Sequence, residues 1–284
     1  MANYSDILLT VDYDRTLTAP DSTIPERNIA AIREFIALGG AFTVNTGRSV
    51  PMCKILMSQI PVNAPFLLYN GSAAYDLKEG ELSLCRPIRL DMWETLAEVA
   101  KHWPQMNLEV QGIDAHYSYG VNPEWDKFYE ALGCAHAVLD PNQDYTPFLK
   151  FSMFGKLRAY NVADLFTGTE EEFREMDRLE QWLRQRFGDA VDVFRSGHRI
   201  VDIHAKGVSK IRSARSLQQR MGRKILVCIG DAENDLSMLD GADYAYCPAD
   251  AVVADRYENV CRCADGAVAD VIYEKIPEIL GKEP

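Results

Sequence analysis

Asp12 and Asp14 stand two residues apart directly after Ile7-Leu8-Leu9-Thr10-Val11. Four of those five residues are apolar and branched, and the run reads as a buried strand of a parallel sheet. Two carboxylates held this close repel unless a cation or a shared proton compensates, and an oxygen-rich pair suits Mg²⁺. In open α/β sheets ligands bind beyond the carboxyl ends of the strands, which is where these acids fall. An acidic turn would look the same on its own, because Asp is common in turns. Three further segments favour chemistry.

Ala41–Asn45 reads as a second strand and runs into Thr46-Gly47-Arg48, followed by a helical stretch from Ser49 to Ile60. A hydroxyl and the backbone amides of such a strand-to-helix turn are suited to phosphate oxygens. Lys224–Ile229 is another apolar strand, and it ends in Gly230-Asp231-Ala232-Glu233-Asn234-Asp235, where Gly230 permits a tight approach. Lys210 opens a helix running to about Met221, with Lys206 close enough in sequence to compete for the same role.

The elements needed to position these groups are present. Strands at 7–11, 42–45 and 65–69 alternate with helices at 25–38 and 50–60, and Asn70-Gly71-Ser72 closes the third strand as a turn or as part of the site. The helix at 25–38 opens with Ile24-Pro25-Glu26 and stops at Gly39-Gly40, as first-turn proline and terminal glycine suggest. A hairpin over 73–85 leads out of this region. From Pro87 to about Ile200 helices (92–102, 124–132, 170–187) mix with short strands (107–111, 116–119, 150–154, 192–195, 199–203), which suits an α+β insert with helices on one face of a sheet. Its many aromatics, Trp93, Trp103, Tyr117, Tyr119, Trp125, Phe128 and Tyr129, are expected in its core.

Taken together, Asp12–Thr18 (DYDRTLT), Thr46–Arg48 (TGR), Lys210 and Gly230–Met238 (GDAENDLSM) resemble, in order, the four motifs of the haloacid dehalogenase superfamily of phosphatases, in its Cof-type branch with a C2B cap. The resemblance covers nearly the whole chain. It implies a doubly wound, Rossmann-like parallel-sheet α/β core over 1–86 and 200–284, with an inserted α+β cap over 87–199 that closes over the active site and sets substrate specificity. It makes Asp12 the nucleophile that forms an aspartyl-phosphate and Asp14 the general acid and base, with Glu233 the next candidate for that role. Mg²⁺ is implied at Asp12, the Asp14 backbone carbonyl and Asp231, with Asn234 and Asp235 as outer or water-mediated ligands. Thr46 and Lys210 take the phosphoryl oxygens, Lys210 being preferred over Lys206 by its place in the motif. Thr16 braces the loop; Thr16, Gly47, Arg48, Asn70 and Gly71 complete the phosphate-binding set, Arg48 either as a substrate contact or in a structural ion pair. One position departs from the family: Arg15 replaces the usual glycine, which changes the turn geometry or adds a cation near the phosphate.

The expected activity is Mg²⁺-dependent hydrolysis of a small phosphorylated metabolite such as a sugar phosphate. The alternatives are a phosphomutase on the same core and a non-catalytic phosphate-binding regulatory module. A chain of 284 residues is long enough for a substantial core, and 47% hydrophobic with 25% charged residues is the composition of a soluble globular protein. The net charge of −12 argues against nonspecific nucleic-acid binding, which rests on basic surface, and makes local cations necessary for an anionic substrate. Seven scattered cysteines, without a CxxC pair, read as reduced thiols in a cytoplasm. No secretory signal is expected at the first residues and no apolar run is long enough for a membrane span. His102, His116, His136, His198 and His204 show no metal-ligand spacing. The oligomeric state has no signature in the sequence.

Overall fold

The computed structural model describes residues 3–145, 147–157, 165 and 167–282. In chain order the first part contains β1 (Ile7–Val11), α1 (Glu26–Ala37), β2 (Ala41–Val44), α2 (Val50–Leu56), β3 (Phe66–Leu68), β4 (Ala73–Asp76) and β5 (Glu81–Cys85). The middle contains α3 (Met92–His102), β6 (Asn107–Gln111), β7 (His116–Ser118), α4 (Pro123–Leu132), β8 (His136–Val138), β9 (Lys150–Phe154), α5 (Glu170–Phe187), β10 (Val191–Gly197) and β11 (Ile200–Ala205). The last part contains α6 (Lys210–Arg220), β12 (Ile225–Ile229), α7 (Leu236–Asp240), β13 (Tyr244–Pro248), β14 (Glu258–Val260), α8 (Ala267–Asp270) and α9 (Ile276–Lys282). These elements form two compact units, one of residues 1–47, 59–84 and 209–284, the other of 48–58 and 85–208.

The first unit is built on a parallel sheet in the order β14-β13-β12-β1-β2. Every residue of β1, β2 and β12 is buried, which explains why these strands are continuous apolar runs and not alternating ones. Leu8, Leu226 and Cys228 meet Ala214 and Leu217 of α6 and Met238 and Leu239 of α7. Strand alternation turns Ile7, Leu9, Ile225 and Val227 the other way, and α1 packs on β2 and α8. The register sets Val11 beside both Val44 and Ile229. The three strands therefore release Asp12, Asn45 and Gly230 at the same edge, with Asp12 N–H donating to the Ile229 carbonyl (2.9 Å) and Asn45 N–H to that of Val11 (2.8 Å).

Two expectations for this unit change in detail. β3 joins the large sheet only through a single Asn45–Leu67 bridge and instead begins a three-stranded sheet, β3-β4-β5, antiparallel to β4. The helix after Thr46-Gly47-Arg48 stops at Leu56 and not Ile60, because Pro61 disfavours helical backbone at the residue before it and the intervening turn buries Met57 and Ile60.

The second unit holds a mostly antiparallel six-stranded sheet, β10-β11-β9-β6-β7-β8, with β7 and β8 parallel. One face of β6, β9 and β11 presents Leu108, Val110, Phe151, Met153, Val201 and Ile203 to Leu96 and Val99 of α3 and Leu179 and Leu183 of α5. α5 starts at a capping box in which Thr169 and Glu172 satisfy each other's backbone N–H groups. Trp125, Phe128 and Tyr129 are core, packed with Phe154, Leu165 and Ile200, as expected of the insert's aromatics. The expected boundary between 199 and 200 falls inside a hairpin. β11 is hydrogen-bonded to both β10 and β9, and its Val201 and Ile203 complete the second unit's core. That unit therefore extends to Val208 and also takes in residues 48–58. β8 was not foreseen, since three residues, one half-buried and two exposed, carry no alternation.

Candidate active site

Asp12 begins where β1 ends, and the chain then folds into a tight turn over Tyr13–Leu17. Leu17 N–H reaches back to the Asp12 carbonyl at 3.3 Å and Thr18 N–H to that of Tyr13 at 3.0 Å. The turn buries Tyr13, Thr16 and Leu17. Thr16 Oγ1 donates to Asp231 Oδ1 at 3.3 Å, so the first and fourth motifs are tied together by the hydroxyl expected to brace the loop. Asp14 is half-buried.

The Gly230 turn carries Asp231 and Asp235. Asp235 Oδ2 accepts from the backbone N–H groups of Asp231 (3.0 Å) and Ala232 (3.2 Å). Gly230 is required by close approach, because a β-carbon there would stand 2.6 Å from Asp235 Cβ. One oxygen from each of Asp12, Asp231 and Asp235 falls within 4.8 Å of the others, and all three residues are buried. Asn234 is half-buried and Glu233 exposed. The Asp14 carboxylate is not among the three carboxylates of this cluster.

Lys210 supplies the counter-charge. Its Nζ donates to Asp12 Oδ1 and Asp235 Oδ1, each at 2.6 Å, and its side chain is almost wholly buried. Lys210 is placed from its backbone outwards. Ser209 caps α6 by accepting from Arg212 N–H at 3.3 Å, and the Lys210 carbonyl accepts from Asn45 Nδ2 and Ser213 Oγ, both at 2.9 Å. Lys206 lies in the second unit with its ammonium on the Gly188 carbonyl at 2.5 Å. The structure thus separates the two lysines that the sequence left adjacent.

Burial drives the titration of the cluster. It pushes Asp12 up to about 7 despite Lys210, with Asp235 and Asp14 adding to the rise. It likewise pushes Asp231 well above the carboxylate range, aided by Asp235 and Asp12. Burial would lower the Lys210 ammonium, but Asp12 and Asp235 outweigh it and hold its pKa above the usual lysine value. Three carboxylates face one ammonium, leaving negative charge in excess.

The second motif sits beside this cluster through the backbone of Tyr69-Asn70-Gly71. Thr46 is buried; its N–H donates to the Leu67 carbonyl (2.9 Å) and its carbonyl accepts from Asn70 N–H (3.0 Å). Gly47 lies against the Asn70 side chain. Gly71 abuts Ser209 and Ser213 of the segment that begins α6. Asn70 and Gly71 are therefore more than a turn, since they connect the Thr46 loop to the start of the Lys210 helix. Arg48 falls in the second unit, buried, with its guanidinium 3.8 Å from Met52 Sδ.

Sequence reasoning missed Asn45 as the residue that grips the Lys210 carbonyl. A polar side chain closing an apolar strand was the available signal. It also missed the backbone of Tyr69, which is left-handed (φ +52) and fully buried; nothing in a tyrosine announces that conformation.

A parallel sheet with a carboxylate cluster, a buried lysine and a threonine loop at its carboxyl edge defines an α/β enzyme built to handle a charged, oxygen-rich substrate. The chain belongs to the haloacid dehalogenase-like hydrolase family, whose model matches residues 9–266. Over 237 residues it is 24% identical to the HMP-PP phosphatase of Serratia proteamaculans, covering 82% of this chain and 80% of that protein. It is also 24% identical over 257 residues to a 5-amino-6-(5-phospho-D-ribitylamino)uracil phosphatase of Bacillus subtilis, covering 83% and 85%. A HAD/COF-like hydrolase from Plasmodium vivax shares the fold with a TM-score of 0.75 at 22% identity, covering 97% of each chain. A haloacid dehalogenase-like hydrolase from Bacteroides thetaiotaomicron does so with a TM-score of 0.75 at 20% identity, covering 95% of this chain and 98% of that one. Among the described residues no helix is long and apolar enough to cross a membrane.

Proposed function

We propose that this hydrolase is a Mg²⁺-dependent phosphatase of small phosphorylated metabolites, sugar phosphates among them, working through an aspartyl-phosphate on Asp12. The observation that carries the reading is the bridge from Lys210 Nζ to Asp12 and Asp235 at 2.6 Å, set against the buried Asp231. The donor set fits a hard divalent cation: three buried carboxylates converge, their charge is only partly met by Lys210, and burial, with the neighbouring carboxylates adding to it, drives Asp12 and Asp231 towards protonation. Asp12 and Asp231 would hold it together with the Asp14 carbonyl, with Asn234 and Asp235 supporting. When bound, it neutralises the cluster and polarises a phosphoryl oxygen.

An Asp12 oxygen attacks phosphorus while Asp14 gives its proton to the leaving oxygen, which departs as an alcohol. Water then attacks the aspartyl-phosphate, Asp14 takes the proton, and phosphate leaves Asp12 free again. Thr46 and Lys210 meet the equatorial oxygens where charge spreads. Residues 87–199 act as the cap that selects the substrate, in a wider unit that the chain divides at 48–58 and 85–208. Seven free thiols suit a reducing cytoplasmic setting. The test is phosphate release from a panel of phosphorylated metabolites with Mg²⁺, in wild type and in Asp12→Asn. We expect Mg²⁺-dependent turnover that EDTA silences and that the substitution lowers by at least about 10³-fold. Turnover surviving either change would refute the mechanism.

A further inference from the structure

Three hydrogen bonds close a ring around the candidate nucleophile. Lys210 Nζ donates to Asp12 Oδ1 at 2.6 Å. The Lys210 carbonyl accepts from Asn45 Nδ2 at 2.9 Å. Asn45 N–H donates at 2.8 Å to the carbonyl of Val11, the residue bonded to Asp12. Asp12, Asn45 and Lys210 are all buried, and the ring lies wholly within the first unit. Asn45, just past the end of β2, thus holds the end of β1 with its backbone and the first residue of α6 with its side chain.

The ring matters because a lysine ammonium rides on a flexible stem and follows the charges around it. Asp12 and Asp235 hold Nζ at 2.6 Å each, but an arriving phosphoryl group competes for that same ammonium. The bond from Asn45 is made to the lysine's backbone, so it is the same whichever anion the ammonium faces. Ser213 Oγ donates to the same carbonyl at 2.9 Å. It belongs to α6 itself and moves with that helix, so it cannot locate the helix on the sheet. Asn45 can. The other half of its amide shows that the side chain is more than filling: among the described residues no donor reaches Asn45 Oδ1, although the residue is fully buried. A buried acceptor without a partner is costly. An apolar residue would avoid that cost and would lose Nδ2, the donor that reaches Lys210.

We propose that Asn45 is a positioning residue that sets the Lys210 ammonium against Asp12 for phosphoryl transfer, by tethering the start of α6 to the sheet edge that carries the nucleophile. This rests on the phosphatase reading above. The test compares variants of the full chain with Mg²⁺ and p-nitrophenyl phosphate. Asn45→Leu keeps the shape and removes both polar atoms, the used donor together with the orphaned acceptor, so the fold should survive; Asn45→Ala is the second variant. Each should lose about tenfold or more in kcat. Inhibition by orthovanadate, which mimics the five-coordinate transferring phosphoryl, should weaken in parallel, while inhibition by inorganic phosphate stays within about threefold. Thr43→Val is the control, since it removes another side-chain bond of β2, from Thr43 Oγ1 to the Pro65 carbonyl at 2.7 Å. It should lower the melting temperature and leave kcat within about twofold. If Asn45 mattered for packing alone, Asn45→Leu would be much milder than Asn45→Ala, and that order overturns the proposal. So does kcat within about threefold of wild type in both variants, an equal loss in Thr43→Val, or a loss of phosphate affinity as large as the loss in kcat. Each of these leaves the phosphatase reading standing, whereas a folded wild type without turnover overturns both.

Discussion

Gly71→Ala should disable the enzyme through Lys210, a residue 139 positions away in the sequence. Gly71 adopts φ +97, and a β-carbon built on it would stand 2.5 Å from the Ser209 carbonyl oxygen and 2.8 Å from Ser213 Oγ. The first obstacle is backbone and cannot swing aside. Restoring ordinary contact, at about 3.4 Å, requires a shift of roughly 0.9 Å in the segment that starts α6. That segment places Lys210, whose Nζ contacts to Asp12 and Asp235 are 2.6 Å each; a shift of this size lengthens them to as much as about 3.5 Å, beyond the usual range of a charged hydrogen bond. Misplacing a catalytic group by about 1 Å costs on the order of 10²-fold in rate. The left-handed backbone adds about 1–2 kcal/mol of strain for an L-residue.

A matched substitution separates the two effects. Gly80 also has positive φ (+73), but its β-carbon would find only Tyr75 Oη, at 3.9 Å. Gly80→Ala should therefore lower the melting temperature by strain alone and leave kcat within about twofold, while Gly71→Ala should lose about 10²-fold in kcat with p-nitrophenyl phosphate as substrate. A folded Gly71→Ala protein with kcat within about threefold of wild type would show that the Tyr69–Gly71 loop does not set the position of Lys210.

Two other outcomes follow from the structure. His204 is fully buried and its pKa is pushed down to about 3, burial outweighing Asp202. The unfolded chain, with histidine near 6.5, therefore binds a proton that the folded one refuses, so stability is complete above about pH 6.5 and falls as pH drops towards 3, by up to about 5 kcal/mol; denaturant unfolding at pH 4.5 and 7.5 should show this fall reduced in His204→Gln, and an unchanged fall would refute it. On the proposed mechanism, Asp14→Asn should release roughly one p-nitrophenolate per active site in a burst and then stall, because that leaving group needs little protonation while hydrolysis of the proposed aspartyl-phosphate would lose a base worth about 10²–10⁴-fold; rapid mixing that shows no burst moves the acid–base role elsewhere, with Glu233 the next candidate.

The sheet was legible because its burial leaves no choice of residue. Strands covered on both faces must be apolar throughout, and Ile7–Val11 and Ile225–Ile229 are found at the boundaries their composition suggests. The acids at their ends stood out for the same reason, as polar groups where an apolar run stops. The division of the chain has no comparable marker, since the expected limits at Pro87 and Ile200 rest on a change in the mixture of strands and helices, whereas the compact units follow hydrogen-bond ladders. A strand such as β11, with Val201 and Ile203 on one face and Asp202 and His204 on the other, looks alike from either side of a boundary until its partners β9 and β10 are known.

What the sequence hid most completely is how the groups of the candidate site are held. Asp12, Asp231 and Lys210 declare themselves by type, but their geometry depends on residues whose types are ordinary. Asn45 fixes Lys210 through a carbonyl, Ser213 holds that same carbonyl, and a buried tyrosine in left-handed conformation begins the loop that joins Thr46 to Ser209. Backbone atoms do this positioning, and a backbone atom leaves no letter in a sequence. Only where a side chain would obstruct it does the constraint surface, as the glycines at 71 and 230. Arg15 is the reverse case: a residue with a β-carbon in a left-handed turn that glycine would occupy more easily.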